Sequence, residues 1–267
     1  MINIPTLIGL GPAGIDAGPQ YLRYVSSLLA KVAEEQSREI SLSAAAIAAT
    51  IAAGGIVHVF GTGHSHMIAE ELFYRAGGLV AVRPILVDAL MLHANAAMST
   101  DLERLPGLGA VLARQTNVMP IDCVIVVSNS GGNAVVCEFA AAAHETGAVV
   151  IAITSLDHAN SASARESVGL RLHELADIVL DNAGVPADAG FLIEGFDVPI
   201  GPTSTVIAAG LANAIVVEAI QKAVHMGHEP QVYRSANSAG GDSHNAQVTA
   251  MTDAAMSTRP ASTQGRR

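Results

Sequence analysis

The chain contains no tryptophan, and aromatic residues make up only 3% of its 267 positions. No aromatic stacking platform is expected, and the core has to be built from Ala, Val, Ile and Leu, the main contributors to an apolar share of 50%. Two cysteines, Cys123 and Cys137, are too few for a disulfide framework in so long a chain and are expected to be buried, reduced thiols. Basic residues are scarce as well: 14 Lys and Arg stand against 24 Asp and Glu, for a formal charge of −10. With a pI near 5.4, the chain lacks the electrostatic footprint of a nucleic-acid binder, and no nucleic-acid partner is expected.

Long hydrophobic runs are missing too. Mean hydropathy is +0.40, yet residues 42–60, the apolar part of the longest uncharged stretch, include His58 and are broken by Gly54-Gly55, where a helical pattern gives way to a strand-like one. They read as protein core, so no membrane partner is expected. Residues 1–20 have no basic segment ahead of an apolar one and are punctuated by Gly and Pro, which makes the cytoplasm the expected compartment. Nucleotide signatures fail on spacing. Gly61-Thr62-Gly63 is followed by His66 where a dinucleotide fingerprint needs a third glycine, and the Gly-Lys-Ser/Thr of a Walker loop does not occur.

What is present is alternation. Residues 21–53 carry apolar side chains at helical spacing and predict one long N-terminal helix, ended by Gly54-Gly55. Strands are predicted over 56–60, 79–87, 122–128, 149–154 and 176–181, separated by helices over 65–76, 110–116 and 133–146, by an irregular stretch over 88–108 and by a polar loop through 170. A Gly- and Pro-containing loop then leads into a last helix over 203–226. Continuous Val/Ile runs between helices are the pattern of buried parallel strands. The expected fold is α/β: a doubly wound, five-stranded parallel sheet flanked by helices, with the long N-terminal helix added. Residues 1–20 are expected to be a flexible segment, 21–248 a single domain with helical extensions, and 249–267 a disordered tail.

In an open parallel sheet the ligand crevice lies at the carboxyl ends of the strands, beside the point where strand order reverses. Three predicted strands end in small, hydroxyl-bearing turns: Gly61-Thr62-Gly63-His64-Ser65, Ser128-Asn129-Ser130-Gly131-Gly132-Asn133 and Thr154-Ser155. Glycine lets backbone N–H groups approach an oxyanion, hydroxyls donate to it, and the following helix adds the partial positive charge of its N-terminus. A phosphate can be held this way without a lysine. Taken singly, each turn reads as an ordinary turn or helix cap; three of them converging on one sheet edge point to phosphate.

Those two glycine loops, with the strand run Val126-Val127 ahead of the second, resemble the SIS (sugar isomerase) domain, over about residues 21–248. The later segment Pro230-Gln231-Val232-Tyr233-Arg234-Ser235-Ala236-Asn237, with Gly240-Gly241-Asp242 and Asn245, is similar to a family of stand-alone SIS proteins. More distantly the layout resembles phosphoheptose isomerase and N-acetylmuramic acid 6-phosphate etherase. The resemblance implies the SIS fold, a phosphorylated sugar as ligand, and a homodimer or higher homo-oligomer. It carries phosphate-binding roles onto Ser65, Ser128 and Ser130 and onto the backbone at Gly63 and Gly131. His64 and Asn133 are also candidates, Asn133 standing where SIS domains often have Thr; Thr154 and Ser155 match less closely.

Aldose–ketose isomerisation needs a base that moves a proton between adjacent carbons through an enediolate. Several SIS enzymes carry a catalytic Glu ten residues after the first-loop serine; here that position is Arg75. Three other residues are candidates for the proton work: Glu103 and His93 in the stretch after the second strand, and Asp197 ahead of Gly201-Pro202-Thr203-Ser204-Thr205. His93 qualifies because imidazole titrates near neutrality. No cofactor and no metal is expected, since His225 and His228 lack a recognisable ligand set. The resemblance makes an aldose–ketose isomerase of a phosphorylated sugar the expected function, with a sugar-phosphate lyase and a non-catalytic sugar-phosphate sensor as alternatives, the last because of Arg75.

Overall fold

The computed structural model describes residues 8–10, 17–161, 169–193 and 195–259. Strand β1 (Ile8–Leu10) and helices α1 (Ala17–Glu35) and α2 (Ser37–Ala52) precede an alternating region: β2 (Val57–Gly61), α3 (His66–Leu72), β3 (Val82–Ile85), α4 (Leu92–Leu102), α5 (Leu108–Thr116), β4 (Cys123–Val127), α6 (Ala134–His144) and β5 (Val149–Thr154). Two short helices, α7 (Leu156–Ala159) and α8 (Leu172–Leu175), lead to β6 (Ile178–Asp181). The hairpin β7 (Ala189–Ile193) and β8 (Phe196–Pro202) then precedes α9 (Ser204–His225) and α10 (Gly241–Ser257).

Five strands form one parallel sheet in the order β3-β2-β4-β5-β6, the expected α/β architecture. Alternation along the strands divides the core between two faces. Val57, Val59 and Ile125 pack under α1, α2 and α9, while Phe60, Val124 and Val126 pack under α5 and α6. Each fully buried aliphatic side chain contributes roughly 1.5–3 kcal/mol of transfer free energy. Cys123 and Cys137 lie in these layers as free thiols; burial pushes their pKa values up to about 12 and about 11, which leaves both un-ionised. Helix α9 is long and apolar enough to cross a membrane. Its Ile207, Leu211, Ile215 and Ala219 are instead buried in the core against α2.

Five expectations change. The N-terminal helix is interrupted at Gln36, whose backbone is non-helical (φ −103°, ψ 11°) and whose Oε1 accepts the Asp181 N–H at 3.0 Å. Within the segment expected to be flexible, residues 8–10 pair with β7 and residues 17–20 open α1; the rest of residues 1–16 lies outside the described residues. The stretch 88–108, expected to be irregular, contains α4, and the Gly/Pro loop before α9 contains the β7–β8 hairpin, whose Phe191 ring packs tilted against Tyr21 and edge-to-face with Tyr24 of α1, at centroid distances of 5.7 and 5.1 Å.

The expected tail is the fifth: residues 249–257 complete α10, and 260–267 lie outside the described residues. Helix α10 is anchored by Val248 against Val80 and Tyr233, by an Arg83–Asp253 ion pair at 2.9 Å and, just beyond its end, by Arg259 on Asp122 at 2.5 Å.

Candidate active site

Strand order reverses between β2 and β4, because the chain passes from β2 outward to β3 and then returns to β4 on the other side. Register places Gly61 directly beside Val127, so the two glycine loops leave the sheet side by side at its carboxyl edge. In the first loop a Cβ on Gly61 would lie 2.6 Å from the Ser65 carbonyl oxygen, and Gly63 adopts φ +56°. Both positions need glycine for the tight 3-10 turn Gly63–Ser65. In the second loop Gly131 has φ +60° and donates its N–H to Ser128 Oγ at 3.1 Å. Asn133 occupies the N-cap of α6 but makes no side-chain cap bond.

These loops form one wall of a cleft of about 310 Å³. Gly63, His64, Ser65, Ser128, Ser130 and Asn133, six of the candidate residues, line it together, and so does Glu103, whose Oε2 accepts the Thr62 hydroxyl at 2.9 Å. No lysine or arginine is among the described lining residues. A second cavity, of about 280 Å³, lies at the opposite end of the sheet beneath α10 and is lined by Ile56, Met251 and Arg259 among others. Arg259 is already bound to Asp122 there.

The remaining candidates sit elsewhere. Gly131 and Thr154 are behind the wall, Thr154 being fully buried with its hydroxyl directed to the Asn129 carbonyl at 3.4 Å. Ser155 is a structural link: its Oγ donates to the Gly184 carbonyl at 2.5 Å and accepts the His158 N–H at 3.0 Å. The structure does not bring His93 or Asp197 into the lining. His93 is on an exposed side of α4, with its ring centroid 6.0 Å from that of His66, and Asp197 is exposed on β8. Arg75 is exposed, pairs with Glu71 and is not among the lining residues.

Sequence reasoning missed the far wall, made by His158, Ala187 and Asp188. Asp188 Oδ1 accepts the N–H groups of Thr203 and Ser204 at 3.1 and 2.8 Å, and its Oδ2 accepts the Ser204 hydroxyl at 2.8 Å. The carboxylate thereby satisfies donors at the start of α9. Ala187 and Asp188 both adopt left-handed backbone, at φ +64° and +68°, at a cost of roughly 1–2 kcal/mol each. That turn directs the Ala187 N–H onto His158 Nδ1 at 2.9 Å. Burial lowers the His158 pKa and the Arg171 guanidinium lowers it further, against an opposing pull from the Asp188 carboxylate. The only signal in the sequence was Asp157-His158 following a strand-end Thr-Ser.

The comparisons agree with this geometry. The family model described as SIS domain matches residues 20–155, so sheet, switch point and glycine loops together define an SIS-domain protein. A UPF0309 protein of Geobacillus kaustophilus is 42% identical over 226 residues, covering 85% of this chain and 90% of the relative. Another from Halalkalibacterium halodurans is 40% identical over 228 residues, covering 85% and 94%. Within the SIS class the chain belongs to the UPF0309 family. Among solved structures, a phosphoheptose isomerase from Francisella tularensis shares the fold with a TM-score of 0.51 at 17% identity, covering 79% of this chain and 100% of that one. The Vibrio vulnificus NanR protein complexed with ManNAc-6P shares it with a TM-score of 0.50 at 14% identity, covering 92% and 71%.

Proposed function

We propose that the protein binds a phosphorylated sugar in this cleft and interconverts its aldose and ketose forms through an enediolate. The observation that carries the reading is the position of Glu103 on a wall shared with Ser65, Ser128, Ser130 and Asn133. Serine hydroxyls and loop amides hold the phosphate without a cation, and Glu103 takes a proton from the carbon beside the carbonyl and returns it to the neighbouring carbon. Asp188, the other carboxylate of the cleft, is committed to the start of α9.

The test is proton NMR in deuterated water with pentose, hexose and heptose phosphates. Solvent deuterium entering C1 or C2 supports isomerisation; loss of a substituent beside that carbon replaces it with a lyase. Arg75, paired with Glu71 in place of the carboxylate found in several SIS enzymes, favours a second reading, a sensor that binds the same ligand without turnover. Saturable binding with no exchange would establish it. The reading includes self-association, supported by the exposed Val217 and Val224 of α9 and Phe196 and Val198 of β8; a monomer in sedimentation at working concentration would remove that part.

A further inference from the structure

We propose that His158 is a catalytic hydrogen-bond donor: a neutral imidazole whose Nε2–H binds the two reacting sugar oxygens and stabilises the enediolate across the cleft from Glu103. The inference rests on the isomerase reading above and adds a residue and a role to it.

Three contacts hold the imidazole and the turn beside it. A backbone N–H can only donate, so the Ala187 N–H on His158 Nδ1 makes that nitrogen an acceptor and leaves the ring proton on Nε2. Protonating Nδ1 would set two donors against each other, and burial acts in the same direction. The ring therefore stays neutral at physiological pH. The donor of this bond is itself held: Ala187 and Asp188 are in left-handed backbone, and Asp188 is fastened to Thr203 and Ser204 at the start of α9. The backbone of His158 is pinned separately by Ser155 Oγ. Nε2 has no hydrogen-bond partner among the described residues, and His158 is one of the residues that line the cleft.

A neutral N–H donor matches what the reaction requires. The Glu103 carboxylate takes the proton from C2 of the aldose, the C1 carbonyl π electrons move onto O1, and a C1–C2 double bond forms. The O2 hydroxyl proton passes to the adjacent O1 within the cis-enediolate. Glu103 then returns its proton to C1 as the O2 carbonyl forms. One C–H and one O–H proton change places, and nothing else enters or leaves. His158 gives up no proton; its fixed dipole meets negative charge that first develops in the transition state, the condition under which a donor accelerates a reaction more than it tightens binding.

The experiment uses the full-length protein in two parts. Two-dimensional 1H–15N spectra of the imidazole nitrogens at neutral pH, assigned with His158→Gln, are expected to show His158 as the Nε2–H tautomer. A protonated Nδ1 overturns the proposal. Deuterium exchange is then followed with whichever sugar phosphate of the panel the wild type turns over. His158→Leu is expected to lower kcat on the order of 10²-fold with KM changed only a few-fold, and His158→Gln, which retains an N–H donor, to recover part of the loss. A wild-type rate in His158→Leu, or a rise in KM at unchanged kcat, overturns the proposal while leaving the isomerase reading standing. Absence of exchange with every member of the panel defeats both, and circular dichroism of the two variants separates a lost donor from a lost fold.

Discussion

Thr62 Oγ1 donates to Glu103 Oε2 at 2.9 Å, which joins the first glycine loop to the residue that caps the C-terminus of α4. A buried hydroxyl on one side of a carboxylate fixes its rotamer, and a hydrogen bond to a charged group contributes about 1.5–3 kcal/mol. Glu103→Gln is therefore expected to slow deuterium exchange by about 10²–10⁴-fold, while calorimetry shows phosphosugar affinity within a few-fold of wild type. Thr62→Val should give a smaller loss of exchange. Wild-type exchange in Glu103→Gln would exclude it as the base.

Ser128 and Ser130 lie on the same loop but differ in what else they hold. Ser130 lines the cleft, whereas Ser128 lines it and also accepts the Gly131 N–H. Ser130→Ala is expected to weaken phosphosugar binding about 5- to 10-fold, the equivalent of one hydrogen bond of about 1 kcal/mol, with no change in Tm. Ser128→Ala should weaken binding at least as much and also lower Tm, because it leaves a buried amide without its partner. Calorimetry and thermal unfolding of the two variants distinguish the roles. Unchanged affinity in both would place the anion elsewhere.

The sheet and the glycine-loop wall of the cleft were legible because their signals are local. Buried parallel strands need uninterrupted runs such as Val124-Ile125-Val126-Val127, and tight turns at a sheet edge need glycines such as Gly61, Gly63 and Gly131. The far wall was not legible, because its left-handed turn is made by Ala187 and Asp188, residue types that do not announce that backbone; the strain is imposed by tertiary contacts with α9. Helix α10 was hidden for another reason. It is polar over most of its surface and buries only Gly241, Asn245 and Val248, so no apolar period marks it. His93 and Asp197 had suitable chemistry in suitable segments, but the choice between a cleft-facing and an exposed position depends on helix phase and hairpin register, which residue type does not encode.

Asp188 links cleft and fold in a way that substitution can separate. Removing its carboxylate leaves the Thr203 and Ser204 amides unsatisfied, a loss of about 1–2 kcal/mol for a helix-terminal cap, equivalent to about 2–8 °C in Tm for a chain of this size. Asp188→Ala is expected to show that loss and, by releasing Ala187 from His158, a drop in exchange rate. Asp188→Asn keeps one acceptor oxygen and should lie between Asp188→Ala and wild type on both measures. A fall in Tm without any fall in rate would show that the Ala187–His158 contact survives without the carboxylate.

At the opposite end of the sheet Asp122 has a different role. Its side chain is fully buried and is reached by His58 Nε2 at 3.2 Å, by the N–H groups of Ile56 and Met119 at 2.8 and 2.9 Å, and by Arg259 at 2.5 Å. Burial alone would raise its pKa, but these donors outweigh burial and hold it below the ordinary value of 3.8. A carboxylate whose folded pKa is depressed stabilises the fold fully above its unfolded pKa and loses that contribution as pH falls through the folded value. Asp122→Ala, which strands Arg259 in a mostly buried position, is expected to reduce unfolding free energy by about 3–5 kcal/mol at neutral pH. Urea titrations should find the gap between wild type and variant constant from about pH 7 to about pH 5 and shrinking below the ordinary carboxylate pKa. A gap that stays constant into that acid range would mean that the ionised form of Asp122 is not what holds α10 against the sheet.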